Sequence, residues 1–273
     1  MYGINYDEVI EIAKKAGEIL VKYHGKKVDV KNKDPNGYSP VSTADLEANK
    51  YICNALEKYG FQILSEESEK KDVDLKKPTW IIDPLDGTIG FLRRSIDFCT
   101  MIGLLVDTKI VFGVVYAPLH DKIYYAAKGE GAWLISNGNR RKIHVSKTDK
   151  LSHSLRAVRP FNKPNFLDFI MDGKIKCRSK IMGSLGLRLC SVAEGEIDFY
   201  INNSSKPSKW DTAAPTIIIE EAGGKITDFN NKPLNYIKEG LQWDESFVAS
   251  NGILHDKILM EIPKNALDLM NMR

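Results

Sequence analysis

The stretch Trp80-Ile81-Ile82-Asp83-Pro84-Leu85-Asp86-Gly87-Thr88 is where residue types and spacing point most directly to chemistry. An apolar run leads into two carboxylates, Asp83 and Asp86, with Pro84 between them. Proline fixes φ and stiffens the turn, so both acids can converge on one site. Hard oxygen ligands on a rigid turn suit Mg²⁺, which favours carboxylates and retains several waters. Gly87 permits close backbone approach and Thr88 offers a hydroxyl. The N–H groups beyond it can cradle a phosphate if a helix begins there. The bland alternative is a polar β-turn, since Asp, Pro and Gly all form turns. Two acids directly after an apolar strand disfavour it.

Further acids stand at the ends of expected elements. Glu66 and Glu67 follow a short strand, Asp45 opens a helix, and Asp211 opens another after Trp210. Each alone reads as a helix cap or a solvated acid. Together with Asp83 and Asp86 they form a set at strand and helix termini, which commonly face one crevice. A phospho-aspartate mechanism of the haloacid-dehalogenase kind requires D-x-D. Here two residues separate the aspartates and proline follows the first. Walker A spacing, H-E-x-x-H and G-x-S-x-G are absent.

The elements that must position these residues are legible in outline. Apolar residues Val9, Ile12, Ala13, Ala16, Ile19 and Leu20 predict a helix over 6–24, stopped by Gly25. Residues 31–40 are rich in turn formers and read as a loop. A second helix starts near Ser42, with Asp45 in capping-box position, buries Ile52, Ala55, Leu56 and Tyr59, and ends at Gly60. Strands are expected at 61–65 and 80–82, followed by an antiparallel meander with strands at 98–106, 110–117 and 122–127. Residues 136–150 read as a junction loop. Helices at 185–192 and 211–222 and strands at 197–201 and 225–229 complete the second half. The pattern is a mixed α+β architecture, helices layered on a largely antiparallel sheet with a second α/β layer. We expect one catalytic unit over 1–273, with sublayers of about 1–145 and 146–273.

Composition narrows the class. The chain is 43% hydrophobic and 27% charged, ordinary for a globular protein, which excludes disorder, collagen and coiled coil. A net charge of +3 is too balanced for bulk nucleic-acid binding. No apolar run is long enough to span a bilayer, and the start lacks a signal-peptide pattern. Cys53, Cys99, Cys177 and Cys190 form no CxxC pair, so reduced thiols and a cytoplasmic location are expected.

The sequence resembles the inositol monophosphatase superfamily of Mg²⁺-dependent, lithium-sensitive phosphomonoesterases. The carriers are Ser65-Glu66-Glu67-Ser68, Asp83-Pro84-Leu85-Asp86-Gly87-Thr88, Trp210-Asp211-Thr212-Ala213-Ala214-Pro215 and Gly223-Gly224-Lys225-Ile226-Thr227-Asp228. The resemblance covers nearly the whole chain. It implies a layered αβαβα, sugar-phosphatase-like fold and a site for two or three Mg²⁺ ions. It further implies that Glu66, Asp83 and the Leu85 carbonyl hold a first metal, and Asp83, Asp86 and Asp211 a second. Asp45 corresponds to the acid beside a third metal and its water, and Thr88 to the residue that orients the attacking water.

Within the superfamily the likeness is greatest to the 3′(2′),5′-bisphosphate nucleotidases, through residues 208–215, 224–228 and 232–236. Gly183-Ser184-Leu185-Gly186-Leu187-Arg188 lies where these carry a glycine-rich turn and a basic residue. The implied substrate contacts are Gly87, Thr88, Gly183, Ser184, Arg188 and Asp211, with Arg188 offering a bidentate fork to a second phosphate and Lys209 a weaker candidate. Ile89-Gly90 replaces the usual Lys-Glu pair, and Val158-Arg159-Pro160-Phe161 lacks the usual histidine. An inositol-phosphate or sugar-phosphate substrate therefore stays open, as does a purely regulatory binding role. The implied partner is a small phosphorylated molecule, and the chain is expected to be a monomer or homodimer.

Overall fold

The computed structural model describes residues 3–32, 40–68, 72–151, 155–159, 178–202, 207–243 and 246–262. Helix α1 (Tyr6–Tyr23) starts where the Asn5 side chain accepts the Glu8 N–H at 3.3 Å. Its apolar stripe buries Val9, Ile12, Ala13, Ala16 and Leu20; Ile19 is only half-buried. Strands β1 (Val30–Asn32) and β2 (Pro40–Ser42) pair antiparallel, Val30 opposite Ser42. The stretch expected as a loop thus begins and ends in a ladder. Residues 33–39 between them lie outside the described residues. Helix α2 (Thr43–Leu56) follows with Ser42 as N-cap and Asp45 completing the capping box, as expected.

Next come β3 (Gln62–Ser65), β4 (Thr79–Asp86) and the short α3 (Thr88–Leu92). Then follow β5 (Cys99–Val106), β6 (Lys109–Ala117), β7 (Lys122–Ala127), β8 (Gly131–Ser136) and β9 (Asn139–Ile143). They form a seven-stranded sheet in the order β3-β4-β5-β6-β7-β8-β9, antiparallel except for β3 beside β4. β9 corrects the expectation of a loop at 136–150. Its Asn-Arg-Arg-Lys run is exposed, the charged pattern that protects a sheet edge and that hides a strand from hydrophobic periodicity.

The second half contains β10 (Arg156–Arg159), β11 (Arg178–Ile181), α4 (Leu185–Ala193), β12 (Phe199–Asn202), α5 (Lys209–Glu221), β13 (Lys225–Asp228), β14 (Phe247–Ser250) and α6 (His255–Glu261). Its five strands run in the order β11-β10-β12-β14-β13. Helix α5 begins at Lys209, so Asp211 sits in its first turn instead of opening it.

Three apolar cores separate the layers. One lies between α1, α2 and a face of the large sheet, around Trp80, Ile82, Phe98 and Phe112. A second joins the opposite face, through Ile81, Met101 and Val115, to α4, α5 and the small sheet. The third places α6 on the outer face of the small sheet, around Phe199, Val248 and Ile258. The result is the layered αβαβα fold. Both faces of the large sheet are covered, which is why β4, β5 and β6 read as nearly continuous apolar runs.

The close approach of α5 rests on glycine. Gly103 and Gly113 face each other across β5 and β6. A Cβ on Gly103 would lie 2.9 Å from the Ala213 Cβ, and one on Gly113 would lie 2.5 Å from the Ala214 carbonyl oxygen. The helix therefore sits backbone to backbone on the sheet, two residues beyond Asp211. Gly113→Ala should push α5 outward. We expect a loss of about 1–3 kcal/mol in denaturant unfolding, typical of overpacking, with weakened Mg²⁺ binding because Asp211 moves with the helix. Wild-type stability and metal affinity would contradict this packing.

Candidate metal-dependent active site

β4 delivers the first acids. The register between β4 and β5 is regular to Asp83 and then shifts before Asp86, a bulge produced where Pro84 cannot continue the ladder. The Pro84 carbonyl instead accepts the Thr100 hydroxyl at 2.9 Å. The Asp83 side chain accepts the Leu85 N–H at 3.0 Å. Asp83 and Asp86 are buried. With half-buried Asp211 they present oxygen atoms within 4.8 Å of one another. The expected convergence is thus met by these three.

Glu66 follows β3, its N–H donating to the Ile82 carbonyl at 3.1 Å, which continues the ladder and sets it beside Asp83. It stands outside the tight trio, yet its charge acts on Asp83, Asp211 and Asp45. Burial, then the charge of Glu66, pushes the Asp83 carboxyl well above its ordinary range. Burial followed by Asp86 and Glu66 does the same to Asp211. Burial also raises Asp86, opposed by hydrogen bonds from Ser184 and the Gly186 backbone and by Arg188. Such a concentration of like charge is what a hard divalent cation neutralises, so the donor set fits Mg²⁺.

Asp45 and Thr88 form the adjoining pair. One Asp45 oxygen accepts the Ser42 N–H at 2.8 Å and the Ser42 hydroxyl at 2.5 Å. The other faces the Thr88 hydroxyl at 3.2 Å, which also lies 3.1 Å from the Leu85 carbonyl. Burial raises the Asp45 carboxyl above its ordinary range despite the Ser42 bonds. Gly87, at φ +95°, turns the chain from β4 into α3, and a Cβ there would meet the Asp97 carbonyl oxygen at 3.0 Å. The helix expected after Thr88 is therefore present, one turn long.

The Gly183-Ser184 turn comes to the trio from the other half of the chain. One Asp86 oxygen accepts the Ser184 hydroxyl, the Gly186 N–H at 2.6 Å and the Cys99 thiol at 3.6 Å. Ser184 also caps α4, accepting the Leu187 N–H at 3.1 Å. Asp97 accepts the Gly183 N–H at 3.3 Å and lies 3.0 Å from His120, whose hydrogen bond lowers the Asp97 carboxyl. Arg188 is buried, not solvated. It donates to the Ser184 carbonyl at 3.0 Å, the Tyr200 hydroxyl at 2.7 Å and the Gly183 carbonyl at 3.4 Å. Those contacts use three of the five guanidinium N–H donors. Lys209 is also buried and donates to the Lys238 carbonyl at 2.5 Å. Pro160, Phe161 and His153 lie outside the described residues.

Sequence reasoning paired Ser42 with Asp45 as a capping box but missed Ser208, Cys99 and Gly186 as supporting residues. Ser208 was findable: Ser208-Lys209-Trp210-Asp211 repeats the S-x-x-D capping signature of Ser42–Asp45, and the Ser208 N–H donates to Asp211. Cys99 and Gly186 carried no local signal, because the register of β5 against β4 brings Cys99 to Asp86 and only the docking of α4 brings Gly186 there.

The sequence matches the Inositol monophosphatase family over residues 5–266. It is 35% identical to the 3′(2′),5′-bisphosphate nucleotidase CysQ of Aggregatibacter actinomycetemcomitans, covering 90% of this chain and 91% of that one. It is 31% identical to a fructose-1,6-bisphosphatase/inositol-1-monophosphatase of Thermotoga maritima, covering 93% of each. The solved structure of the Thermotoga maritima IMPase superposes with a TM-score of 0.81 at 29% identity, covering 97% of this chain and 98% of that chain. The chain belongs to the inositol monophosphatase family. That family consists of metal-dependent phosphatases, typically using Mg²⁺, that act on small phosphorylated substrates. Among the described residues no helix is long and apolar enough to cross a membrane. Cys53, Cys99 and Cys190 are free thiols; Cys177 lies outside the described residues.

The raised carboxyls set a sign. Asp83 and Asp211 ionise less readily folded than unfolded, so the folded chain holds more protons. Metal-free stability then falls as pH rises from about 4, the ordinary carboxylate value. Mg²⁺ should reverse this, raising the melting temperature at pH 7.5 and far less near pH 5, where protons compete for the same oxygens. At 100-fold excess over Kd the gain is about 2.7 kcal/mol. Asp83→Asn should remove most of it. A Mg²⁺ shift independent of pH would count against this site.

Proposed function

We propose that this chain is a Mg²⁺-dependent phosphomonoesterase of the 3′(2′),5′-bisphosphate nucleotidase type, releasing phosphate from adenosine 3′,5′-bisphosphate to leave AMP. The observation that carries the phosphatase reading is the Asp45–Thr88–Leu85 hydrogen-bond group beside the Asp83, Asp86, Asp211 trio. Mg²⁺ held by Glu66, Asp83, the Leu85 carbonyl, Asp86 and Asp211 would acidify water and offset charge on the phosphoryl oxygens. The rest is done by the chain itself.

Thr88 donates its hydroxyl proton toward Asp45 or the Leu85 carbonyl. Its lone pairs are therefore turned to accept a hydrogen from water at the phosphorus. Asp45, kept less acidic by burial, is suited to take the proton that this water loses. Gly87 makes the left-handed turn into α3, and the N–H groups of Thr88 and Ile89 are free of helical partners at its start. Water adds its oxygen to phosphorus and passes a proton to Asp45, the ester P–O bond breaks, and the departing alkoxide takes a proton from solvent water, while Asp45 returns its own to solvent. No covalent enzyme intermediate is required.

Phosphate release should disappear with chelator and return with Mg²⁺. Thr88→Ala should lower kcat by about 100-fold or more with little change in KM, the general acid–base range, because its role is in the transition state. Full activity in chelator would overturn the reading. An altered KM at unchanged kcat would move Thr88 to substrate binding.

The bisphosphate reading draws support from the CysQ likeness and from the turn at Gly183-Ser184, with Arg188 beneath it. The two N–H donors that Arg188 does not use internally are our candidates for the second phosphate. Arg188→Ala should reduce kcat/KM for adenosine 3′,5′-bisphosphate by about 10- to 150-fold, and that for p-nitrophenyl phosphate by much less. Equal losses would leave Arg188 only its turn-holding role. A higher kcat/KM on inositol 1-phosphate or fructose 1,6-bisphosphate than on the nucleotide would favour the activity in the Thermotoga maritima relative's name. A cytoplasmic monomer or homodimer, acting as one catalytic unit, completes the proposal.

A further inference from the structure

A cleft of about 400 Å³ opens where the end of α1 meets the far end of α3. Tyr23, Val28, Phe91 and Leu92 give it an apolar lining, and Lys26, Lys27 and Arg94 supply cations. No carboxylate lines it, and no ion pair engages these three cations among the described residues. None of the acids of the active site borders it.

The walls are preformed. His24 lies 3.0 Å from the Ser95 carbonyl, and its ring is 5.5 Å from Phe91 and 5.4 Å from Phe98. Tyr23 is fixed by donating to Glu47 of α2. Arg94 has φ +63°, a left-handed conformation that glycine adopts freely and arginine does not. Such strain persists only where surroundings impose it, and it gathers at ligand sites. Here it places a cation at the rim, at a position where glycine would be more stable.

We propose that this cleft is a binding site for an organic anion with a flat apolar body, one or two aromatic rings in size. The body lies against Tyr23, Phe91 and Leu92, and the anionic group is held by Lys26, Lys27 and Arg94. The volume falls in the usual range for small-molecule sites, and aromatic walls beside unpaired cations match that chemistry. The site is separate from the metal centre and does not depend on the proposed reaction.

The test uses 5-dimethylaminonaphthalene-1-sulfonate, a two-ring aromatic sulfonate whose fluorescence reports apolar binding, with the full chain. We expect one saturable site per chain, unaffected by Mg²⁺ with inorganic phosphate. Lys26→Glu with Lys27→Glu should weaken it by about 10-fold or more, the scale of a lost charge-assisted contact, whereas Lys109→Glu at the start of β6, outside the cleft lining, should not. Arg94→Gly should weaken dye binding yet raise the melting temperature, because it removes the cation and relieves the strain together. A purely structural Arg94 would not show both. Displacement of the dye by Mg²⁺ with phosphate, or equal affinity in Arg94→Gly and wild type, would overturn the proposal.

Discussion

Asp83, Asp86 and Asp211 hold their carboxylates within 4.8 Å of one another, against mutual repulsion and the cost of burial. Nothing in the chain favours that arrangement for its own sake. It persists because each acid sits on an element fixed by other forces. β4 is locked between two apolar cores, and α5 is seated on the glycines of β5 and β6. Apolar burial thus supplies the free energy that keeps the acids together, and a divalent cation bound among them would recover the electrostatic part.

The same economy appears in the hydrogen bonds. One Asp86 oxygen is occupied by Ser184, Gly186 and Cys99, and one Asp45 oxygen by Ser42. In each case protein donors hold one side of the carboxylate, which fixes the direction of the other. A site built this way reorganises little when charge develops, which is the condition for electrostatic stabilisation of a transition state.

The site also joins the two halves of the chain. α4 and its Gly183-Ser184 turn are fastened to the first half through Asp86 and through Asp97, itself beside His120. Arg188 holds the turn from beneath and lies over the Tyr200 ring, 5.1 Å from its centroid, which ties the turn to β12 of the small sheet. The distance between the clustered acids and the turn proposed to meet substrate is therefore set by packing between the layers, not by either half alone.

Local chemistry was legible in the sequence. Asp83-Pro84-Leu85-Asp86-Gly87-Thr88 declares a strand, a stiff turn, two acids and a helix start, because proline, glycine and capping residues act over three or four positions. The apolar runs of β4 to β7 were equally readable, since strands buried on both faces need few polar residues. β9 was not, because an edge strand is charged for reasons of solubility, and β1 and β2 hid within turn-forming residues. Tertiary structure alone decided which acids meet closely, leaving Glu66 at the margin of the trio and bringing Asp211 into it across more than a hundred residues of chain. It also decided that Arg188 faces inward. A sequence records charge and hydrophobicity residue by residue. Which side of a helix docks is settled by where glycines leave room, and that is a property of the assembled layers.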